Sequence, residues 1–247
     1  MPLSRERKEA VLDSYRLRVR KIAARRKGKS VRSFKRFTSW SPQTVSLVSH
    51  LIFDGELNRS GCSYNNRSSS LIAHVRECMR RIYDYDPRSY VDPKSKVIRI
   101  SYYNVALGQY LTRKSRELLG TIDVMSTDSK KEFLKAFFND EGCMDFRPER
   151  NVRQIRGYQK NVAVLQIVKG LLLDMGIEST VKKPNEVVIV GRENLLRFGE
   201  KVNFSPGVRI NGLRSNSLWK QPMEKRELLE RAIASYKPAG SSGVHRR

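Results

Sequence analysis

The fold turns on one stretch, Ser129-Lys-Lys-Glu132 followed by Phe133-Leu-Lys-Ala-Phe-Phe-Asn-Asp-Glu-Gly142. A serine with glutamate three residues later is a capping box, and it predicts a helix start. The apolar run that follows is the helix body, and Gly142 ends it directly after an acid. A second stretch, 87 positions earlier, has the same shape. There Ser41-Pro42 supplies an N-cap with proline in the first turn. Gln43-Thr-Val-Ser-Leu-Val-Ser-His-Leu-Ile-Phe-Asp54 forms the body, and Gly55 ends it.

The likeness continues downstream, which makes it an internal repeat. Tyr64-Asn65-Asn66 leads to a helical run from Leu71 to Val75, and Tyr158-Gln159-Lys160 leads to one from Val164 to Val168. The turn Asp92-Pro-Lys-Ser95 precedes a strand from Val97 to Ser101. Lys183-Pro-Asn185 precedes another from Val187 to Gly191. Further helices are predicted over Asn104 to Arg113 and Glu193 to Val202, with residues 114–128 as the joint. Each copy therefore reads helix, hairpin, helix, hairpin, helix. Ser4 to Lys27 reads as a separate helix with Val11, Tyr15, Val19 and Ile22 in a narrow apolar stripe. A last helix is expected from Pro222 to Tyr236, and a flexible tail from Lys237 to Arg247.

Asp54 and Glu141 need a reason to be where they are. An acid at a helix C-terminus opposes the macrodipole by about 0.3–1 kcal/mol, and here it does so in both copies. Either two polar helix ends face water, or a cation lies between them. Carboxylate oxygens are the ligands that Mg²⁺ prefers. Ser49 and Ala136 sit six residues before Gly55 and Gly142, where small side chains let two helices approach closely. If those helices pack together, Asp54 and Glu141 meet at one end. Two carboxylates bridged by metal can clamp the attacking and leaving oxygens of an in-line phosphoryl displacement.

Charge points to the partner. Lys and Arg number 49 against 25 acids, a net +24, and a field of that size favours nucleic acid over membrane or protein. In residues 1–40 the ratio is 14 to three, so Arg18, Arg25, Arg26 and Lys27 are candidate phosphate contacts. Arg99 faces away from Ile98 and Ile100 on its strand. Arg147, Arg150, Arg153 and Arg156 crowd the second copy's first hairpin and could read guanines or hold phosphates. No apolar run is long enough to cross a bilayer. Cys62, Cys78 and Cys143 lack CxxC spacing, which argues for reduced thiols. His50, His74 and His245 form no ligand-like cluster.

The stretch from Phe133 to Gly142 resembles the motif of LAGLIDADG homing endonucleases, in the variant with Glu before the final glycine. Leu47 to Gly55 resembles a diverged first copy, with Ser49 where glycine or alanine is usual and His50 as a polar insertion. The resemblance covers about Ser41 to Trp219. It implies an α+β fold with two pseudo-symmetric αββαββα units, antiparallel saddle-shaped sheets and a basic N-terminal helical extension. The expected parts are 1–40 for the extension, 41–125 and 126–221 for the units, and 222–247 for a helix and tail. Ser49, Ala136, Gly55 and Gly142 would line the interface between the motif helices. Asp54 and Glu141 would hold Mg²⁺ or Mn²⁺, while Gln159 and Lys160 would polarise the water network as further catalytic residues. The function implied is site-specific, metal-dependent cleavage of double-stranded DNA by a monomer, across the minor groove and with short 3′ overhangs. The alternative is a catalytically silent or maturase-like RNA binder on the same fold, toward which the basic arm points. The expected compartment is the cytoplasm, on nucleic acid, with an organelle as the other option.

Overall fold

The computed structural model describes residues 5–26, 32–212 and 219–236. Lys27, His245 and the tail after Tyr236 lie outside them. The chain divides into two bodies, Met1–Lys35 and Arg36–Arg247. The first contains α1 (Arg5–Arg26), close to the predicted span. Its stripe of Val11, Tyr15, Val19 and Ile22 stays exposed, as do Arg18, Arg25 and Arg26.

The second body repeats one order of elements. The first copy is α2 (Pro42–Phe53), β1 (Gly55–Asn58), β2 (Gly61–Asn66), α3 (Ser69–Arg80), β3 (Arg88–Val91), β4 (Ile98–Tyr102) and α4 (Val105–Thr121). The second is α5 (Thr127–Asp140), β5 (Gly142–Arg147), β6 (Val152–Tyr158), α6 (Val162–Asp174), β7 (Thr180–Lys182), β8 (Glu186–Val190) and α7 (Arg192–Lys201). Helix α8 (Lys225–Ala234) follows. The strands form two antiparallel four-stranded sheets, ordered β1-β2-β4-β3 and β5-β6-β8-β7. This is the α+β, twice αββαββα architecture that the repeat predicts.

Local chemistry sets the helix starts. Ser41 caps α2, and Thr44 returns the bond to the Ser41 amide at 2.9 Å. Helix α5 starts earlier than the capping box implies: Ser126 is its N-cap and accepts from the Ser129 amide. Helix α4 outruns its predicted end, because Leu111 and Leu118 remain on its buried face. The joint between copies shrinks accordingly. Phe37 and Trp40, which the sequence reading places in the basic extension, pack edge-on near Tyr110 of α4.

Helices α2 and α5 lie against each other. Ser49 and Ala136 are almost wholly buried there, so the small residues mark the close approach as expected. Phe53 meets Phe133 and Phe137 edge-on at 5.4 and 5.2 Å. Each such ring contributes about 1.5–3 kcal/mol by leaving water.

Gly55 and Gly142 play a part that the C-cap reading missed. Neither is among the glycines with positive φ. A Cβ on Gly55 would lie 2.4 Å from the Leu51 carbonyl oxygen, and one on Gly142 would lie 2.4 Å from that of Phe138. Each strand leaves its helix so sharply that it crosses the helix's own last turn. Gly55→Ala and Gly142→Ala must push backbone against backbone, so each should cost about 1–3 kcal/mol. That lowers Tm by roughly 2–4 °C per kcal/mol for a chain of this size. Thermal melting checks it, and an unchanged Tm in both variants would contradict the close approach.

Candidate active site

Asp54 and Glu141 are the C-cap residues of α2 and α5. The packing of those helices brings the two acids within each other's field. Asp54 is pushed up to about 7, by burial first and then by the charges of Asp140 and Glu141. Glu141 is also pushed up to about 7, by burial and then by Asp140. Asn66, at the end of β2, donates to Asp54 at 2.8 Å. The strand pairing explains why Asn66 does this and Asn65 does not. Asn66 stands opposite Ile98 on the core face, and Asn65 opposite Arg99 on the open face.

Asp140 is the residue that sequence reasoning passed over as a mere aggravation of Glu141. Its side chain is fully buried. One oxygen lies 2.7 Å from His50 Nδ1, and the other accepts from the Tyr64 hydroxyl at 2.7 Å. A carboxylate can only accept, so an ionised Asp140 requires a His50 tautomer with its proton on Nδ1. The polar insertion in α2 thus has a polar partner in α5. At an offset of 87, Asp140 matches Phe53 and His50 matches Phe137. One side of the pseudo-twofold interface is therefore aromatic and the other polar. Tyr64 matches Gly157 in strand register, and a Cβ on Gly157 would strike the Phe137 ring at 2.4 Å. The pairs His50–Tyr64 and Phe137–Gly157 fill equivalent space with opposite polarity.

Lys225, at the start of α8, is the second residue missed. It is 6 % exposed. Its ammonium donates to the Asn139 carbonyl at 2.6 Å and the Phe138 carbonyl at 3.3 Å, at the C-terminal end of α5. Burial pulls it down to about 8, while nearby Cys143, Asp140, Asp54 and Glu141 pull the other way. A cation at this helix end complements the dipole that Asp140 and Glu141 oppose. Asn139 exchanges hydrogen bonds with Ser205, at 2.8 and 2.9 Å, which ties the following segment to the same end.

Gln159 and Lys160 follow the end of β6, where the Tyr158 amide donates to the Glu141 carbonyl at 3.1 Å. The Gln159 side chain accepts from the Asn161 amide and closes a turn. Lys160 is exposed and makes no hydrogen bond or ion pair with a described residue. The lysine that Asp54 and Glu141 both feel is Lys225.

The open face of the first sheet carries Glu56, Asn65, Tyr90 and Arg99. Arg99 is paired with Glu56 at 2.7 Å. The open face of the second carries Asp145, Arg147, Gln154, Arg156 and Glu186. Arg147 grips Asp145 with two bonds of 2.8 and 2.7 Å, and Arg156 pairs with Glu186. Arg150 is exposed at the hairpin tip. Arg153 departs from the expected set. It stands opposite Phe146 on the core face, donates to the Ser235 hydroxyl at 2.6 Å and lies 4.9 Å from the Tyr236 ring centroid. It fastens α8 to the sheet, because strand alternation gives it the same side as Ile155.

A family model described as a LAGLIDADG-like domain matches residues 128–203. No curated protein is significantly similar to the chain. Among solved structures, mesophilic variants of the homing endonuclease I-DmoI are 18% identical, with a TM-score of 0.51, over 67% of this chain and 94% of that one. I-DmoI in complex with DNA and Mn gives 18% and 0.51, over 65% and 96%. Full-length DUF199/WhiA from Thermatoga maritima gives 15% and 0.53, over 84% of this chain and 64% of that one. Residues 128–203 are thus a LAGLIDADG-like domain, and the chain has the two-unit LAGLIDADG fold, with a second copy of the same αββαββα unit ahead of that domain.

Proposed function

We propose that the chain is a divalent-metal-dependent DNA endonuclease of the homing type, with Asp54 and Glu141 as its metal ligands. One observation carries the reading: two half-buried helix-end carboxylates, one from each copy, are both pushed up to about 7. A folded chain keeps such an arrangement at a loss unless a cation relieves it. The donor set fits Mg²⁺ or Mn²⁺. It is all oxygen, and two carboxylates leave room for water and phosphate oxygens, as Mg²⁺ sites commonly do. When bound, the metal supplies a polarised water and charge neutralisation at the scissile phosphate. The chain's residues supply the rest. Asp54 and Glu141 would hold the cation, and Asn66 fixes the rotamer of Asp54. Lys225 offsets the negative end of α5. Arg99, Arg147, Arg150 and Arg156 present positive charge to a backbone or to guanine edges.

The test is incubation of the purified chain with a plasmid library in Mg²⁺, with EDTA as control. Cut molecules with short 3′ overhangs at a recurring sequence are expected. Tight binding without a cut would overturn the enzymatic reading and favour the second one, a binding protein for structured RNA. The observation that favours that second reading is the exposed, arginine-rich α1. Deleting residues 1–35 keeps Phe37 and Trp40 in place and should flatten the dependence of affinity on salt. The slope of log K against log salt should fall by about 0.9 for each phosphate that the arm neutralises. An unchanged slope would show that the arm does not touch the phosphate backbone.

A further inference from the structure

Against Asn139 and Lys225, at the end of α5, is a cavity of about 770 Å³ that neither motif predicts. Arg67, Lys94, Lys96, Arg209 and Lys225 line it, and no acidic side chain does so among the described residues. It is built from both copies. Asp92 pins the β3–β4 turn by accepting from the Lys94 and Ser95 amides at 3.0 and 2.6 Å. Arg67 donates from Nε to the Ser95 carbonyl at 2.8 Å, which holds its guanidinium at the rim and leaves the other N–H groups unspent there. Across the cavity, Ser70 donates to the Pro206 carbonyl at 3.0 Å and fastens the segment leading to Arg209 over the start of α3. Lys225 and Asn139 close the inner wall, and through them the cavity adjoins the end of α5.

Arg67, Lys94, Lys96 and Arg209 make no ion pair with a described residue. Elsewhere on this surface arginines are matched by acids, as Arg99 is by Glu56 and Arg156 by Glu186. Cations gathered in a recess without acids repel one another and raise the local concentration of anions. The first turn of α3 adds the positive end of a helix dipole to the same wall. Oxyanions with several acceptor oxygens suit such a mixture of guanidinium, ammonium and amide donors.

We propose that this cavity is a phosphate site, filled by a backbone phosphate of the nucleic-acid strand held at the Asp54–Glu141 pair. The assignment rests on the nucleic-acid reading above and deepens it. The two copies then grip a strand unequally, because the segment through Gly207 and Arg209 that completes this recess follows the second copy and packs over α3 of the first. The sequence shows no such asymmetry in the motifs themselves.

The experiment compares the full-length chain with Lys94→Gln/Lys96→Gln/Arg209→Gln and with a charge-matched control, Arg116→Gln/Lys131→Gln/Lys169→Gln. Affinity for a 30-base-pair duplex is measured across a salt series, and thermal melting confirms that each variant folds. The cavity variant should reduce the slope of log K against log salt by about one, the value for one neutralised phosphate, and weaken binding at moderate salt about tenfold. The control should change the slope by less than half as much. A second arm adds inorganic phosphate against chloride at equal ionic strength. Phosphate stabilises folded chains in general, so the readout is the difference: it should raise the Tm of the unaltered chain more than that of the cavity variant. An unaltered slope in the cavity variant, with the parent chain still bound steeply, overturns the phosphate site alone. A parent chain that binds neither duplex nor RNA overturns the functional reading beneath it. Stabilisation by free phosphate that the cavity variant abolishes, with duplex affinity intact, overturns the strand in favour of a small phosphate ligand.

Discussion

Asp54→Asn and Glu141→Gln should each reduce cleavage by about 10³-fold or more while leaving affinity for the same duplex within a few-fold. Loss of one preorganised electrostatic partner of a transition state typically has an effect of that order, and under the proposed function the lost group would also be one of the residues that hold the metal. The proposed function assigns affinity to arginines on the sheets and arm, so affinity should survive. Stability should move in the opposite direction from most substitutions at half-buried sites. Both carboxyls titrate near 7 in the folded chain and near 4 when unfolded. Between those values the folded chain keeps protons that the unfolded chain has released. Metal-free stability therefore falls as pH rises from 4 to 7 and stays low above it. Each amide variant should melt at or slightly above the parent at pH 7.5, with a weaker pH dependence. Single-turnover nicking and thermal melting at pH 5 and 7.5 check both halves. A variant that cuts at the parental rate would remove its carboxylate from the mechanism.

Asp140→Ala should be the most destabilising of the substitutions considered, at about 3–5 kcal/mol. The side chain is fully buried and holds His50 and Tyr64 at 2.7 Å each. Truncation leaves a buried imidazole and a buried phenol without their acceptor, and unmet polar groups are expensive in an interior. A Tm loss of roughly 10 °C follows from the size of the chain. The pseudo-twofold mate of the pair shows what these positions tolerate otherwise, since Phe53 and Phe137 occupy the equivalent places. His50→Leu/Asp140→Ala should accordingly recover much of the loss, because replacing a buried pair by apolar groups is often near neutral. The double-mutant cycle should give a coupling of about 2 kcal/mol. An Asp140→Ala variant that melts within 1–2 °C of the parent would show that the pair is not structural.

Much of this architecture was legible because each copy explains the other. Capping residues, the helix-strand-strand period and the paired acids recur at one offset, and local chemistry suffices to read them. The unread features depend on contacts across the chain. Asp140 and His50 are 90 residues apart and Lys225 meets Asn139 across 86, and nothing near any of them in sequence signals the meeting. A histidine in one motif helix and an extra acid in the other were the only hints, and they gain meaning only once α2 and α5 are known to pack. Arg153 is a different case. Its parity with Ile155 was visible, but the crowd of arginines around it suggested one common surface. Gly55 and Gly142 were found for an incomplete reason: the chain needs the missing Cβ for a backbone crossing, not for left-handed φ. Lys160 follows β6 in a turn closed by Gln159 and Asn161, while α8 brings Lys225 from the far end of the chain to the field of the paired acids.

Whether Asp54 and Glu141 ligate a metal can be read from a Mn²⁺ titration, followed by electron paramagnetic resonance on the chain bound to a duplex it cuts. The parent, Asp54→Asn and Glu141→Gln are compared at pH 7.5. Tight Mn²⁺ binding is expected in the parent, weakened by about tenfold or more in each variant, in step with the loss of cleavage. Equal Mn²⁺ affinity in all three proteins would contradict the assignment of Asp54 and Glu141 as the metal's ligands.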